Sequence, residues 1–195
     1  MEENNMDSKN DNRLYHTTHI ENLESILKYG MLSRKEVTKL KKYTDVADGE
    51  IINERERYNL SKYVPFHFYP NSPFEGAIKK EHGGANLVTI TIRRSYAREN
   101  EFKILPTHPL NGQFQLFHYD EGYDKINWEV IDTPMKSCTD PNAKQIKMAE
   151  ALSVNMIDAN DFFEIYCSKV KFIEFCQLYP QHRSKLKKGW WLNGN

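Results

Sequence analysis

The stretch 14-LYHTTHIENLESILKYGML-32 predicts a short strand followed by an amphipathic helix. Residues 14–17 include aromatic and β-branched side chains, which favour a strand. Apolar side chains then recur at helical spacing, at Ile20, Leu23, Ile26 and Leu27. The run from Thr18 to Glu21 is typical of a capping box, and Gly30 is a usual helix end. We therefore expect a helix at 20–29 directly after the strand.

Further along the chain, strand and helix patterns alternate irregularly. The clearest strand is 87-LVTITI-92, in which two sets of apolar and β-branched residues alternate. The run 63-YVPFHFY-69 predicts another strand, and Pro65, which has no N–H to donate, places it near a sheet edge or a bulge. This order favours an α+β domain with a mostly antiparallel sheet. No GxGxxG follows a strand, so a Rossmann mode of dinucleotide binding is not indicated.

The stretch 102–140 is long, aromatic and poorly periodic, with proline and glycine throughout. Irregular segments of this length inside a compact domain are usually active-site covers or binding loops. We therefore expect this stretch to contact a substrate.

The composition fits one domain that folds without disulfides or metal. At 195 residues the chain is long enough to bury a core. Its three cysteines form no CxxC pair and no HExxH motif occurs, so a reducing cytoplasm is the expected location and no metal site is indicated. The 27 basic and 27 acidic side chains cancel, so net charge does not decide whether a partner is nucleic acid. The polar start predicts a flexible leader at 1–13, a single domain at 14–195 and no membrane segment.

Four separated segments occur in an order that matches one protein family. They run from His19 to Gly30, from Glu50 to Arg55, from Tyr63 to Pro73 and from Ala149 to Leu152. Together they resemble DarT, the toxin half of a bacterial toxin–antitoxin pair. The resemblance implies an ADP-ribosyltransferase-like fold, in which helices flank a mostly antiparallel split β-sheet. It also implies transfer of ADP-ribose from NAD, as co-substrate, to a base of single-stranded DNA.

Two departures from the family pattern bear on the acceptor. A PRSPM-like run of the relatives is 70-PNSPF-74 here, and 103-KILPTHPLN-111 replaces a Phe–Thr–Asp signature that often precedes the substrate loop. In the family these regions hold the distal parts of NAD or the acceptor. DNA therefore stays the favoured acceptor, and RNA is the alternative.

The resemblance assigns the catalytic roles to Glu150 and Arg55. Breaking the bond between nicotinamide and ribose leaves an oxocarbenium-like centre, which a nearby carboxylate stabilises. The resemblance gives that role to Glu150, together with a general-base role that would suit a raised pKa. Arg55 is expected to pair with the diphosphate or to orient the acceptor. It lies in a charged stretch with the polarity of a loop or frayed helix, and Arg57 is the alternative.

Four further residues are expected to bind NAD. Thr18 and His19 stand at the entrance of the first helix, where unpaired backbone N–H groups face the same space. Asn22 lies one turn on, and Tyr63 is a candidate contact for the nicotinamide. A polar cap without a ligand role is the alternative for His19, and His16 is expected in the core or behind the site.

Single-stranded nucleic acid is expected to contact a basic cluster and an aromatic side chain. Lysine and arginine neutralise phosphates, and aromatic rings stack on bases. The candidates are Arg183, Lys185, Lys187, Lys188 and Trp128. A solvated charged face is the alternative for the four basic residues.

Two other functions stay open from the sequence. An ADP-ribosyltransferase that modifies a protein would carry a glutamate or glutamine two residues before the catalytic glutamate, where this chain has Met148. A non-catalytic nucleic-acid-binding module of the same fold would not need His19, Arg55 and Glu150 together. The resemblance also implies an antitoxin partner, either a macrodomain that removes ADP-ribose or a protein that blocks the site, and phage defence is an expected setting.

Overall fold

One sheet of seven strands organises the part of the chain that the structure describes. The computed structural model describes residues 7–39, 43–47, 49–108 and 115–193. The strands are β1 (Arg13–His19), β2 (Val64–His67), β3 (Leu87–Arg93), β4 (Lys103–Leu105), β5 (Glu150–Ser153), β6 (Glu164–Cys167) and β7 (Leu186–Lys188). They lie in the order β4-β5-β2-β1-β3-β6-β7. Every neighbouring pair is antiparallel except β6 with β7, which is parallel.

Nine α-helices flank the sheet within the same described ranges. They are α1 (Leu23–Tyr29), α2 (Arg34–Val37), α3 (Gly49–Arg57), α4 (Pro73–His82), α5 (Arg94–Glu99), α6 (Tyr119–Asp124), α7 (Trp128–Asp132), α8 (Ala143–Ile146) and α9 (Phe172–Leu178). Among the described residues, no helix combines the length and the apolar character needed to cross a bilayer.

Local sequence explains where α1 begins and ends and where α4 begins. A 3-10 turn precedes α1, and α1 ends at Gly30, whose φ of +81° is costly for other residues. A Cβ at Gly30 would also lie 2.9 Å from the carbonyl oxygen of Ile157. α4 begins with a capping box, because the N–H of Ser72 donates to the Glu75 carboxylate at 2.7 Å and the N–H of Glu75 donates back to the Ser72 hydroxyl.

The sheet divides between β1 and β2. β1 pairs with β3 through seven consecutive residues, whereas β1 and β2 share only the pair Tyr15↔His67. The two halves, β4-β5-β2 and β1-β3-β6-β7, are therefore joined narrowly. This arrangement agrees with the mostly antiparallel split sheet that we predicted.

Pro65 lies at this division and not at a sheet edge. β2 is the third strand of seven, so the expected edge position is wrong. The carbonyl of Pro65 accepts a hydrogen bond from Nδ1 of His16, on β1, at 2.8 Å. The N–H and C=O groups of one strand residue point toward the same neighbouring strand. An N–H at position 65 would therefore point toward β1, where β1 and β2 form no ladder, so its absence in proline costs no ladder hydrogen bond.

The two faces of the sheet are buried differently. One face carries a continuous apolar core that includes Leu14, Phe66, Ile90, Ile104 and Ala151. The other face carries two smaller clusters. The aromatic cluster contains Tyr15, Leu87, Tyr166 and Trp191. The leucine cluster contains Leu60, Leu105 and Leu152. The second face is therefore free to hold polar side chains between these clusters.

The N-terminal segment packs onto the domain from residue 8 onward. Ser8 is 1% exposed, and its N–H donates to the carboxylate of Asp132 at 3.1 Å. The guanidinium of Arg94 donates to the backbone carbonyls of Ser8, Lys9 and Arg13. Residues 8–13 of the leader that we predicted at 1–13 therefore include several that contact the domain, and residues 1–6 lie outside the described residues.

The stretch 102–140 contains more regular structure than we predicted. Its described residues include β4, α6 and α7, and Phe117 pairs with Ile104 in an isolated antiparallel bridge. The helices in this stretch are short, so few residues in each of them repeat at helical spacing. The sequence pattern therefore did not reveal them. Residues 109–114 lie outside the described residues.

Replacing His16 by Asn should reduce the acid sensitivity of the fold. Burial lowers the pKa of His16 to about 4. When the pH falls below the ordinary pKa of histidine, the unfolded chain therefore takes up a proton that the folded chain does not. Stability from this group is complete above the unfolded pKa and is lost as the pH falls toward 4. Between pH 7 and pH 5 the free energy of unfolding should drop by about 1–2 kcal/mol more in the wild type than in His16→Asn.

Asn is the matched replacement because its side-chain N–H still donates to Pro65. Urea unfolding at the two pH values measures the difference. Equal acid sensitivity of the two proteins would contradict this account of His16.

Candidate active site

A pocket opens where the sheet divides. Its polar lining residues include His16, Thr17, Thr18, Asn22, Arg34, Asp45, Arg55, Tyr63, His67, His108 and Glu150. Its apolar walls include Ile26, Met31, Ile51, Phe74 and Met148. A cleft with apolar walls and a limited set of converging polar groups is the usual form of a small-molecule site. The pocket is therefore the candidate active site.

Glu150 begins β5 and faces this pocket. A row of directly paired residues crosses the sheet from Leu105 through Glu150 and His67 to Tyr15. Directly opposite residues of paired strands point to the same face, so Glu150 and His67 stand side by side between the leucine and aromatic clusters. The side chain of Glu150 is 4% exposed. Its position in a cleft is the one that its predicted role requires.

Arg55 reaches Glu150 from α3. The charged stretch around it, which we expected to be a loop or frayed helix, forms a regular helix of nine residues. Nη1 of Arg55 donates to both carboxylate oxygens of Glu150 at 2.8 Å, and the Arg55 side chain is 7% exposed. Arg57 lies on a different side of the helix, and its side chain is 70% exposed. The geometry therefore favours Arg55 over Arg57 as the functional arginine.

The ion pair keeps the carboxyl group of Glu150 ionised. Burial acts to raise the pKa of Glu150, but the positive charge of Arg55, with nearby His108 and His67, outweighs it, and the pKa lies below its usual value. The raised pKa that we expected is therefore wrong. A carboxylate that stays charged is suited to stabilising positive charge in a transition state.

Three histidines border the site, and none was among the site residues predicted from the sequence. His67 and His108 are 6% and 2% exposed, and Nδ1 of each has no hydrogen-bond partner among the described residues. His16, which we expected in the core or behind the site, also lines the pocket. Burial lowers the pKa of His16 and of His108. In the described ranges, these side chains form no group of three or more that could hold a metal ion.

Three of the four predicted NAD contacts line the pocket. Thr18 and Tyr63 do so directly, and Asn22 uses its side-chain amide to hold a neighbouring segment. Its Nδ2 donates to the Thr18 hydroxyl at 2.9 Å and to the Thr44 carbonyl at 2.7 Å, while its Oδ1 accepts from the Thr44 N–H at 2.8 Å. His19 lies outside the lining, and its Nδ1 accepts from the backbone N–H two residues on at 3.4 Å, which is the cap role left open above.

The segment 43–47 forms one wall of the pocket and is fixed by charge. Both guanidinium Nη atoms of Arg34 donate to the carboxylate of Asp45, and the Tyr43 hydroxyl donates to the same carboxylate at 2.6 Å. Burial acts to raise the pKa of Asp45, but these hydrogen bonds outweigh it and lower the pKa. With the Asn22 contacts, this ion pair ties the wall to α2 and to the end of β1.

Trp128 lies apart from the pocket. It begins α7, and its ring packs against Phe68 and Tyr123 with centroid separations of 5.5 and 4.8 Å. The guanidinium carbon of Arg94 lies 5.3 Å from the ring centroid. The ring therefore packs inside the domain. The contact of Trp128 with nucleic acid stays a prediction, and the position of the residue does not support it.

The basic cluster also lies away from Glu150. Lys187 and Lys188 lie on β7 and Arg183 and Lys185 precede it, five strand positions from β5, or about 24 Å at the usual spacing between strands. Nζ of Lys185 donates to two backbone carbonyls at 3.0 and 2.9 Å. Phosphate binding by these four residues stays a prediction, and the structure does not bring them to the pocket.

Comparison with known proteins decides the family. The family model for DarT, described as ssDNA thymidine ADP-ribosyltransferase, matches residues 15–184. The chain belongs to the DarT family. A curated relative from Thermus sp. (strain 2.9), described as a DNA ADP-ribosyl transferase, is 27% identical over 155 residues, which cover 71% of this chain and 73% of that protein.

Solved DarT structures share the fold. Thermus sp. 2.9 DarT in complex with ADP-ribosylated ssDNA matches with a TM-score of 0.80 at 21% identity, covering 94% of this chain and 96% of that chain. The same DarT in complex with NAD+ matches with a TM-score of 0.72 at 20% identity, covering 92% and 93%. Thermosipho africanus DarTG in complex with ADP-ribose gives 0.77 at 19% identity, covering 91% of this chain and 50% of that chain. The predicted ADP-ribosyltransferase-like α+β fold is confirmed.

Membership of the DarT family also confirms the predicted reaction class. The chain is an NAD-dependent ADP-ribosyltransferase, and NAD is its co-substrate. The family transfers ADP-ribose to thymidine of single-stranded DNA. The protein-modifying and non-catalytic alternatives are therefore not supported.

Replacing Arg55 by Met should destabilise the fold through Glu150. Removing one partner of a buried ion pair leaves an uncompensated charge, which costs about 3–5 kcal/mol. The double variant Arg55→Met/Glu150→Gln should recover part of this loss, because no buried charge remains. Urea unfolding at neutral pH measures the three proteins.

The order of stability among these proteins tests whether the Arg55–Glu150 ion pair forms. The single variant should lose more stability than the double variant. If both variants unfold at the same urea concentration as the wild type, the buried ion pair does not exist in solution.

Proposed function

We propose that this chain transfers ADP-ribose from NAD to thymidine in single-stranded DNA, with Glu150 and Arg55 as its catalytic residues. The observation that carries the proposal is the buried Arg55–Glu150 ion pair, with both oxygens of Glu150 held at 2.8 Å inside the pocket. A toxin of a toxin–antitoxin or phage-defence pair is the setting that the family implies.

The pocket suits a large polar substrate such as NAD. Nδ1 of His67 and Nδ1 of His108 are buried and have no hydrogen-bond partner among the described residues. An unpaired buried polar group costs about 1–3 kcal/mol, so these two atoms are stabilised when a ligand supplies partners. Thr18 and Tyr63 offer a hydroxyl and an aromatic ring to the same space. The donor set therefore fits ribose hydroxyls and amide groups.

Glu150 acts on the ribose that carries nicotinamide. When the bond from the ribose carbon to nicotinamide breaks, the bonding electrons leave with nicotinamide and the ribose carbon becomes positively charged. An ionised carboxylate beside it stabilises that charge, and its fixed orientation avoids reorganisation during the reaction. Arg55 fixes this orientation through Nη1 and keeps Glu150 ionised through its charge.

The acceptor must lose one proton. Thymine in a nucleotide has a single N–H, so a bond from that nitrogen to the ribose carbon displaces its proton, and the products are ADP-ribosylated thymidine, nicotinamide and a proton. Nη2 of Arg55 is the buried donor left over from the ion pair, and we assign it to a carbonyl oxygen of the acceptor base. A donor at that oxygen makes the adjacent N–H more acidic and favours attack. We assign the proton to Glu150, whose carboxylate is bound by the same guanidinium.

A partner protein that neutralises the enzyme is part of the proposal. The match to Thermosipho africanus DarTG covers 50% of that chain, which supports a second component beside the DarT-like part. We propose that this chain likewise has an antitoxin, either a macrodomain that removes ADP-ribose or a protein that blocks the pocket. Co-expression with each candidate class distinguishes the two, because only a macrodomain removes adducts already present on DNA.

Glu150→Gln should abolish transfer while the protein still folds, with a lower stability because the buried Arg55 charge loses its partner. Loss of the fixed negative charge should lower the rate by at least about 100-fold, as for other groups that stabilise transition-state charge. Glutamine still accepts from Arg55 and limits that loss, so activity is assayed well below the thermal unfolding temperature measured for the variant. Labelled NAD is incubated with a single-stranded DNA oligonucleotide containing one thymidine, with a matched oligonucleotide lacking thymidine and with the matched RNA, and adducts are mapped by mass spectrometry.

Only the thymidine DNA should gain ADP-ribose with the wild-type protein. Equal modification of the RNA, or modification of the DNA without thymidine, would overturn the acceptor. Full activity of Glu150→Gln would overturn the catalytic assignment.

A further inference from the structure

The protein surface beside Glu150 carries cations over tyrosine rings. We define the tyrosine rim as Arg57, Tyr58, Lys62, Tyr63 and Lys103. We propose that the tyrosine rim binds the nucleotides that flank the modified thymidine in single-stranded DNA. This inference rests on the proposed function and names the surface through which its DNA substrate is held.

The rim lies next to the catalytic carboxylate because of the leucine cluster. Leu105 of that cluster is the β4 partner of Glu150, and Leu152 follows Glu150 by two residues on the same face of β5. Tyr58 and Tyr63 pack against the leucine cluster. Tyr63 also lines the pocket, so the rim and the pocket are continuous.

Each tyrosine of the rim has a cation beside its ring. The guanidinium carbon of Arg57 lies 5.5 Å from the centroid of the Tyr58 ring, and Nζ of Lys62 lies 5.1 Å from the centroid of the Tyr63 ring. Lys103 adds a third cation on the edge strand β4, directly opposite Leu152. Its Nζ lies 3.1 Å from Nδ1 of His118.

This combination matches the chemistry of single-stranded nucleic acid. Such strands are gripped by aromatic rings that stack on bases and by cations that follow the phosphates. Stacking does not depend on base identity, which suits flanking nucleotides. The proximity of Tyr63 to the pocket would place a base on the rim while the neighbouring thymidine reaches Glu150.

Glu54 of α3 does not cancel the charge of Arg57 in the rim. Glu54 pairs with Arg57 at 3.7 Å, a separation longer than a hydrogen bond, and the Arg57 side chain remains 70% exposed. An exposed ion pair of this kind is worth about 0–1 kcal/mol, so a phosphate competes with it readily. The basic cluster at 183–188, by contrast, lies about five strand spacings from Glu150.

Salt dependence of DNA binding tests the rim directly. Binding of a fluorescein-labelled oligothymidylate of about 10 nucleotides is followed by fluorescence anisotropy over a range of salt concentrations. Each phosphate contact on a single strand contributes about 0.7 to the slope of log K against log salt. Arg57→Gln/Lys62→Gln should therefore reduce the slope by about 1.4 and weaken binding about tenfold at 0.1 M salt.

The matched control is Lys28→Gln/Lys80→Gln, which removes two exposed lysines, one of them 5.0 Å from the Tyr29 ring centroid. Its slope should equal that of the wild type. A second comparison is Lys187→Gln/Lys188→Gln on β7. An unchanged slope in the rim variant, or equal flattening in the control, or flattening in the β7 variant alone, overturns the proposal.

Stacking is tested separately by Tyr58→Leu, which keeps an apolar contact with the leucine cluster. Its affinity for the oligothymidylate should fall about 5-fold or more, while the salt slope stays unchanged, because base stacking is worth about 1–3 kcal/mol and involves no counterion release. An unaltered affinity would exclude the ring from the interface.

These binding measurements do not depend on catalysis. If the wild-type protein binds DNA through the rim but transfers no ADP-ribose to it, the proposed function fails and the rim stands. If transfer occurs and the rim variant binds DNA as the wild type does, the proposed function stands and the rim fails.

Discussion

The buried ion pair between Arg55 and Glu150 sets the conditions for the rest of the site. A carboxylate that is 4% exposed is stable in its charged form only when a cation compensates it. The compensating side chain comes from α3, so this helix must pack over β5 although much of its sequence is charged. Because Nη1 alone makes both hydrogen bonds, Nη2 remains a buried donor without a partner among the described residues. One contact therefore combines charge balance, orientation and an available donor.

The space beside that pair exists because the sheet is nearly divided. A full ladder between β1 and β2 would close the cleft, but the two strands share only the pair Tyr15↔His67. Pro65 has no N–H to extend the ladder, and its carbonyl is satisfied by the His16 side chain. A proline that would weaken an ordinary central strand is therefore tolerated where the pocket requires separation. The three histidines in the pocket lining, His16, His67 and His108, border this gap.

The sequence predicted the elements that have a strong local pattern. The first strand and the helix ending at Gly30, the strand at 87–92 and the segment containing Glu150 were recognisable from period, turn residues and family order. Contacts across the sheet were not, because register joins residues that are distant in the chain. His67 faces Glu150 only through the pairing of β2 with β5. The lowered pKa of Glu150 likewise depends on a contact 95 residues away in sequence.

The row of paired residues through Glu150 separates two approaches to the same carboxylate. On one side lie His67 and the division of the sheet, bordered by the segment 43–47 that Asn22 and Arg34 fix in place. On the other side lie Leu105 and the leucine cluster, which supports the tyrosine rim. A polar, enclosed wall suits a dinucleotide, and a partly exposed surface of cations and rings suits a strand that extends beyond the enzyme. On the proposed function, NAD therefore fills the pocket and the DNA strand extends over the rim, and Tyr63 lies at the boundary where the two substrates meet Glu150.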